Sequence, residues 1–188
     1  MKKINIMLCI CLMLTQGRAK SGFEIYGDVM LALPFVMMAY SYNIDDLQGV
    51  KEQAISTASV LLSTQAIKQG FVVLSRHDEA QARISQRPQN GSFDGFPSGH
   101  TSFVFSSVGF AQKRYGWRFS VPLGAIATSV GVSRIYAKRH TTAQVIAGAA
   151  LGFGLSYLLS SRQVPINAWI QSHPNGHTSY HLAYFKAF

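Results

Sequence analysis

Long apolar blocks alternate with polar stretches along this chain. Five blocks, at residues 27–42, 52–74, 98–113, 119–137 and 142–160, are rich in Ala, Leu, Val, Met, Ile and Phe, with Ser and Gly interleaved. Their lengths suit helices, and the small residues suit close helix packing. Polar connections run over 43–51, 75–96, 113–118 and 138–141. The second is the longest, and a loop of that length is often functional. Strand-like alternation occurs only near the end, at Tyr180, Leu182, Tyr184, Lys186 and Phe188. The pattern predicts an all-α fold, an antiparallel bundle of about five helices. These helices are short beside the ~20 residues of a membrane span. Two arrangements remain open: tilted helices crossing the inner membrane, or a periplasmic bundle resting on its surface. Polar Gln65, Lys68, Ser106 and Ser107 within the helices favour the second or mark a site.

The first residues read differently. Lys2 and Lys3 precede an apolar run over 4–14, followed by Gly17-Arg18-Ala19. That is the layout of a secretory signal cut after Ala19, with an uncleaved anchor as the alternative. Cys9 and Cys11 are the 2 cysteines of the chain. A cut after Ala19 removes both, which excludes a disulfide framework. The expected organisation is a signal at 1–19, a domain at 20–165 and a tail at 166–188.

Apolar residues make up 48% and charged residues 13%, which excludes a disordered or coiled-coil chain and leans toward a membrane. The 17 basic residues against 8 acidic ones give a net charge of +9, which favours anionic partners. Nucleic acid is not expected, because the basic residues are scattered and no binding motif is present.

Three pieces carry chemistry. The first is Lys68, late in the second helix, with Arg87-Pro88 across the long loop. The second is Pro97-Ser98-Gly99-His100. Ser98 is a good helix cap, Gly99 permits close backbone approach, and free N–H groups of the first turn bind anions. His100 there can donate a proton to a leaving oxygen. The third is Ser133-Arg134, then His140. Arg134 offers a guanidinium fork for phosphate oxygens, and a neutral His140 can attack phosphorus. Taken singly, each piece also reads as an ordinary cap or loop residue. With antiparallel helices, all three fall at one end of the bundle, although they are far apart in sequence.

These residues resemble the type 2 phosphatidic acid phosphatase superfamily, with its signature K-x6-RP, PSGH and SR-x5-H-x3-D. Arg87-Pro88, Pro97 to His100, and Ser133-Arg134-x5-His140 match in order, within roughly residues 55–160. The resemblance implies a phosphate cradle of Lys68, Arg87, Ser98, Gly99 and Arg134, with His100 as general acid and His140 as nucleophile. It implies no metal and no other cofactor. The loop from Arg83 to His100 looks most like the lipid A phosphatase branch. The implied function is hydrolysis of a phosphomonoester or pyrophosphate on lipid A or a related envelope lipid. If the helices cross a bilayer, Lys113, Arg114 and Arg118 lie at the end opposite the site, and the positive-inside rule then faces the site toward the periplasm. Transfer of the phosphoryl group to a lipid acceptor and phosphate binding without turnover are the alternatives.

Two departures stand out. The motif lysine is not at its usual spacing, so Lys68 is the candidate, with Arg76 and Arg83 as substitutes. Gln144 stands where the family has aspartate. Its carbonyl is expected to orient His140 without adding charge, so Gln144→Asp is expected to raise the maximal rate. His173, His177 and His181 are spaced by four, but Pro174 and Gly176 break any helix that would hold a metal. Asp45-Asp46 reads as a turn.

Overall fold

The computed structural model describes residues 20–163, 166–172 and 178–184. The proposed signal, both cysteines, His173 and His177 lie outside the described residues. Among the described residues, seven helices precede a two-stranded hairpin. They are α1 (Gly22–Val29), α2 (Leu33–Asn43), α3 (Leu47–Ser75), α4 (Glu79–Ala82), α5 (Gly99–Arg114), α6 (Trp117–Tyr136) and α7 (Thr142–Leu159). A 3-10 turn, Met30–Ala32, joins α1 to α2, and another, Arg83–Ser85, follows α4. Strands β1 (Ile166–Ser172) and β2 (Thr178–Tyr184) pair antiparallel, with Ile166 opposite Tyr184 and Ser172 opposite Thr178.

The all-α bundle is the fold observed. Its boundaries differ from the sequence expectation where capping decides them. Helix α3 starts at Leu47, because the Asp46 carboxylate accepts the Gly49 N–H at 2.9 Å. Asp46 is thus a helix cap rather than part of a simple turn. The loop expected over 75–96 contains α4, capped by Asp78. The first apolar block becomes helical at Gly22 rather than Gly27, as α1, capped by Ser21.

Helix α5 runs through the middle, packed against α3, α6 and α7. Two apolar clusters surround it: Leu33, Val104, Val108, Ala127 and Val130, and nearer its end Met37, Phe110 and Ala111. Between the helices the interior is otherwise built from small and polar residues. A Cβ at Gly109 would overlap the Phe153 carbonyl, and one at Gly152 would overlap that of Ser102. One at Gly148 would crowd the Ser98 carbonyl. Helices α5 and α7 therefore meet backbone to backbone, the arrangement that small-xxx-small spacing permits. Buried hydroxyls bridge helices at Thr64–Ser102 (2.9 Å), Thr57–Ser106 (3.0 Å) and Ser56–Ser156 (3.0 Å).

Large apolar side chains turn outward instead. Phe35, Val36, Leu62, Val121, Ile146 and Leu158 are all exposed. Residues 22–43 and 142–159 are each long and apolar enough to cross a membrane.

At the end where α5 finishes, Arg114 is buried. It pairs with Asp46 and, at 2.9 Å, with Glu52. Its Nη1 also reaches Ser161 Oγ at 3.1 Å, tying the exit from α7 to the start of α3. Burial pushes the Asp46 carboxyl up, but its hydrogen bonds and the Arg114 charge outweigh this and hold it below its ordinary range.

Candidate active site

Every site residue read from the sequence lies at the opposite end of the bundle. Helix α3 supplies Lys68, and the loop after α4 supplies Arg87. Ser98, Gly99 and His100 open α5. Arg134 lies in the last turn of α6, His140 in the turn that follows, and Gln144 in the first turn of α7. Lys68 is buried, whereas its substitutes Arg76 and Arg83 are exposed.

His140 is 4% exposed. Burial chiefly, and then the charge of Arg87, push its pKa down to about 3; the Gln144 hydrogen bond opposes this, and Lys68 and His100 add to it. His140 is therefore neutral at physiological pH, and these groups lie within electrostatic reach of it.

Which ring nitrogen carries the proton follows from Gln144. This side chain has no solvent exposure. Its Nε2 donates to the backbone carbonyls of Ile84 (2.9 Å) and Gln86 (3.0 Å). Its Oε1 must then face the other way, where it lies 3.0 Å from His140 Nδ1 and accepts the Thr141 N–H at 3.2 Å. His140 thus carries its proton on Nδ1, and Nε2 keeps a free lone pair. Thr141 Oγ1 accepts the Gln144 N–H in return, completing a capping box. Thr141-x-x-Gln144 is a signature legible in the sequence, and it is the overlooked sign that Gln144 is locally fixed.

The first turn of α5 forms the floor of the site. Ser98 is the N-cap residue, but its side chain makes no capping bond. Its Oγ accepts instead from Thr101 Oγ1 at 3.0 Å, and its N–H donates to the Gln144 carbonyl at 2.9 Å. The N–H groups that follow have no intrahelical partner, as in any first turn, and suit an anion. A Cβ on Gly99 would point at Lys68 Cε, 3.8 Å away, so the missing side chain keeps the space between them open.

Two carboxylates unforeseen from the sequence complete the site. Asp94 binds Arg87 bidentately, at 2.7 and 3.0 Å, and its backbone carbonyl accepts from Lys68 Nζ. Burial pushes the Asp94 carboxyl up, but the hydrogen bonds from Arg87 and Ser92 and the nearby cations outweigh it and hold the pKa down at about 2. Asp28, on α1, reaches Arg134 Nη1 (2.8 Å), His100 Nε2 (3.1 Å) and Lys20 Nζ (2.7 Å). Arg134, 3% exposed, is further held by the Glu24 carbonyl at 2.5 Å and Ser133 Oγ at 3.1 Å. The signal available for Asp28 is an acid within an apolar helical block. Its partners lie 72 and 106 residues away, so nothing local could name them.

The arrangement brings together a neutral, oriented imidazole, three cations, an open helix N-terminus and a second histidine beside a carboxylate. These are the parts needed to bind a phosphoryl group and attack it. Among the described residues no group of three or more His, Cys, Asp or Glu side chains could hold a metal ion.

Comparison with known proteins agrees with this chemistry. The chain is 35% identical to the lipid A 4'-phosphatase of Helicobacter pylori (strain J99) over 76% of its length and 71% of that protein's. It is 28% identical to the lipid A 1-phosphatase of Helicobacter pylori (strain 26695), over 64% of its own length and 61% of the relative's. A probable diacylglycerol pyrophosphate phosphatase of Schizosaccharomyces pombe is 33% identical, over 43% of this chain and 34% of that one. No solved structure matches. Residues 53–169 match the PAP2 superfamily, a stretch that begins in α3 and contains Asp94 and all eight site residues read from the sequence but not Asp28, and the chain belongs to that family.

Proposed function

We propose that this phosphatase removes phosphate from a membrane lipid of the cell envelope, with lipid A or a close relative as substrate. The observation that carries the reading is His140, buried and neutral, with Nδ1–H held by Gln144 and Nε2 free.

In the proposed reaction, Lys68, Arg87 and Arg134 bind the phosphate oxygens together with the open N–H groups at Gly99 and His100. His140 Nε2 attacks phosphorus in line, the bond to the leaving oxygen breaks, and protonated His100 gives that oxygen its proton. A water then attacks the phospho-histidine, losing its proton to His100, and inorganic phosphate leaves as His140 is restored. Asp28 holds the His100 ring and the Arg134 fork in fixed relation. The relatives' names, two lipid A phosphatases and a lipid pyrophosphate phosphatase, support a lipid substrate.

The outward apolar side chains and hydroxyl-bridged interior support a bundle seated in the bilayer. Lys113 and Arg118 lie at the end opposite the site, so the positive-inside rule faces the site toward the periplasm. Arg114 adds little to that surface charge, being buried against Asp46 and Glu52.

The test is phosphate release from lipid A by the purified protein, with His140→Ala alongside. Activity lost in a folded variant, and an acid-labile phospho-histidine trapped in the parent, are expected. Substantial release by folded His140→Ala would overturn the mechanism. Product mass separates hydrolysis from transfer to a lipid acceptor.

A further inference from the structure

To grip one phosphate, Lys68 and Arg87 must hold their charges at a fixed separation, yet they come from different elements, α3 and the loop after α4. Asp94 relates them. Its carboxylate takes the Nε–Nη2 edge of the Arg87 guanidinium, at 2.7 and 3.0 Å, which leaves Nη1 for a ligand. Its backbone carbonyl accepts from Lys68 Nζ. Both contacts depend on where one loop residue comes to rest, and no helix or strand ladder fixes it there.

Ser85 does so instead. It is the last residue of the 3-10 turn after α4 and has no solvent exposure. Its Oγ donates to the Phe93 carbonyl at 2.7 Å and accepts the Phe96 N–H at 3.0 Å. Its own carbonyl accepts the Gly95 N–H at 2.8 Å. The Phe93 carbonyl belongs to the peptide before Asp94 and the Gly95 N–H to the peptide after it, so Ser85 pins Asp94 from both sides. The approach is close: a Cβ at Gly95 would overlap the Ser85 carbonyl and crowd the Gln144 amide, so the loop lies this near because residue 95 has no side chain. Ser85 is itself held through its neighbours, since the carbonyls of Ile84 and Gln86 both accept from Gln144 Nε2. The amide that orients His140 thus also anchors the residue that places Asp94.

We infer that Ser85 is a positioning residue of the active site: through Asp94 it sets the separation of Arg87 and Lys68 on which phosphate binding depends. The inference rests on the phosphate cradle of the proposed reaction and adds to it a residue that itself touches no substrate. A serine that served only to stabilise the loop would make the same bonds. The two roles differ in what the loss of the hydroxyl does to phosphate affinity in a protein that still folds.

The experiment titrates inorganic phosphate calorimetrically into the full chain in detergent micelles, with urea unfolding alongside. Parent, Ser85→Ala, Ser85→Cys, Arg87→Ala and the Ser85→Ala/Arg87→Ala pair are compared. Alanine removes both hydroxyl bonds and adds no bulk, whereas cysteine keeps a weak donor and acceptor in nearly the same shape. Ser85→Ala should bind phosphate about tenfold more weakly, the effect of losing about one charge-assisted hydrogen bond, and Ser85→Cys should lie between it and the parent. In the Arg87→Ala background the same change should have a smaller effect, because one of the two cations that Ser85 positions is already gone. A folded Ser85→Ala that binds phosphate as the parent does, whatever its stability, overturns the inference, and so does an equal loss in both backgrounds. If Ser85→Ala does not fold, Ser85→Cys takes its place under the same criteria. A parent that binds phosphate but releases none from lipid fails the phosphatase reading and leaves this test standing; a parent that binds no phosphate overturns both.

Discussion

Replacing Gln144 by aspartate, the residue in the family signature, probes how the nucleophile is held. Read from the sequence, the added charge raises the rate. The structure reverses that expectation, because the Gln144 amide works at both ends. Its oxygen holds His140, and its nitrogen holds the carbonyls of Ile84 and Gln86 at 2.9 and 3.0 Å. Aspartate is shorter by about 1.5 Å and has no N–H to donate. Both carbonyls, which are part-buried, lose their partner. An unsatisfied buried acceptor costs about 1–3 kcal/mol, and water reaching these part-buried carbonyls offsets part of it, so the pair together costs about 1–3 kcal/mol. The freed segment leads directly into Arg87, and a misplacement of about 1 Å in an active site lowers a rate by on the order of 10²-fold. A carboxylate beside His140 also raises its pKa from about 3, moving the acid limb of activity to higher pH. The assay is phosphate release across pH with denaturant unfolding, on the parent, Gln144→Asp and Gln144→Leu. Aspartate should be about 10–100-fold slower, less stable, and shifted at its acid limb. Leucine should be slow and unstable without that shift. A Gln144→Asp protein as fast and as stable as the parent would refute the two-ended role.

Asp28→Asn should lower kcat most for substrates with poor leaving groups, because His100 loses its anchor; equal losses across a leaving-group series would separate Asp28 from proton donation. Asp94→Asn keeps an acceptor for Arg87 while removing the negative charge that competes with phosphate, so inhibition by inorganic phosphate should tighten by about 3- to 10-fold, and weaker inhibition would contradict this. His140 affects stability through its lowered pKa of about 3. Between that value and about 6.5 the unfolded chain binds the extra proton, so this contribution is complete above about pH 6.5 and declines as pH falls toward 3. Urea midpoints at pH 7 and pH 4.5 should therefore differ more in the parent than in His140→Asn, and an equal difference would argue against a buried neutral imidazole.

The bundle was legible because helix-length apolar blocks report their own burial and spacing. The site motifs were legible because each combines a helix terminus with side chains suited to phosphate. Pairings across the fold were not. Asp46 reads locally as a turn, and only the folded chain brings Arg114 onto it, 68 residues away. Asp28 sits in an apolar block and Asp94 in a polar loop, and neither shows its guanidinium partner in the sequence. Gln144 was identified, but only its oxygen was foreseen. The use of its nitrogen depends on where the loop after α4 comes to rest.

The backbone contact between α5 and α7 divides these helices into positions that can vary and positions that cannot. Gly109, Gly148 and Gly152 touch main chain, so even one methyl there separates the two rods. The separation would reach the site, where Ser98 on one rod, itself in contact with Gly148, is bonded to the Gln144 carbonyl on the other. Outward positions such as Ile146 and Leu158 touch no such seam and can exchange among apolar residues freely. A library randomised over α7 and sorted for activity would thus retain sequence at every fourth position on the inner face and drift on the outer one. The enzyme could adapt its surface to a different lipid environment without moving its nucleophile.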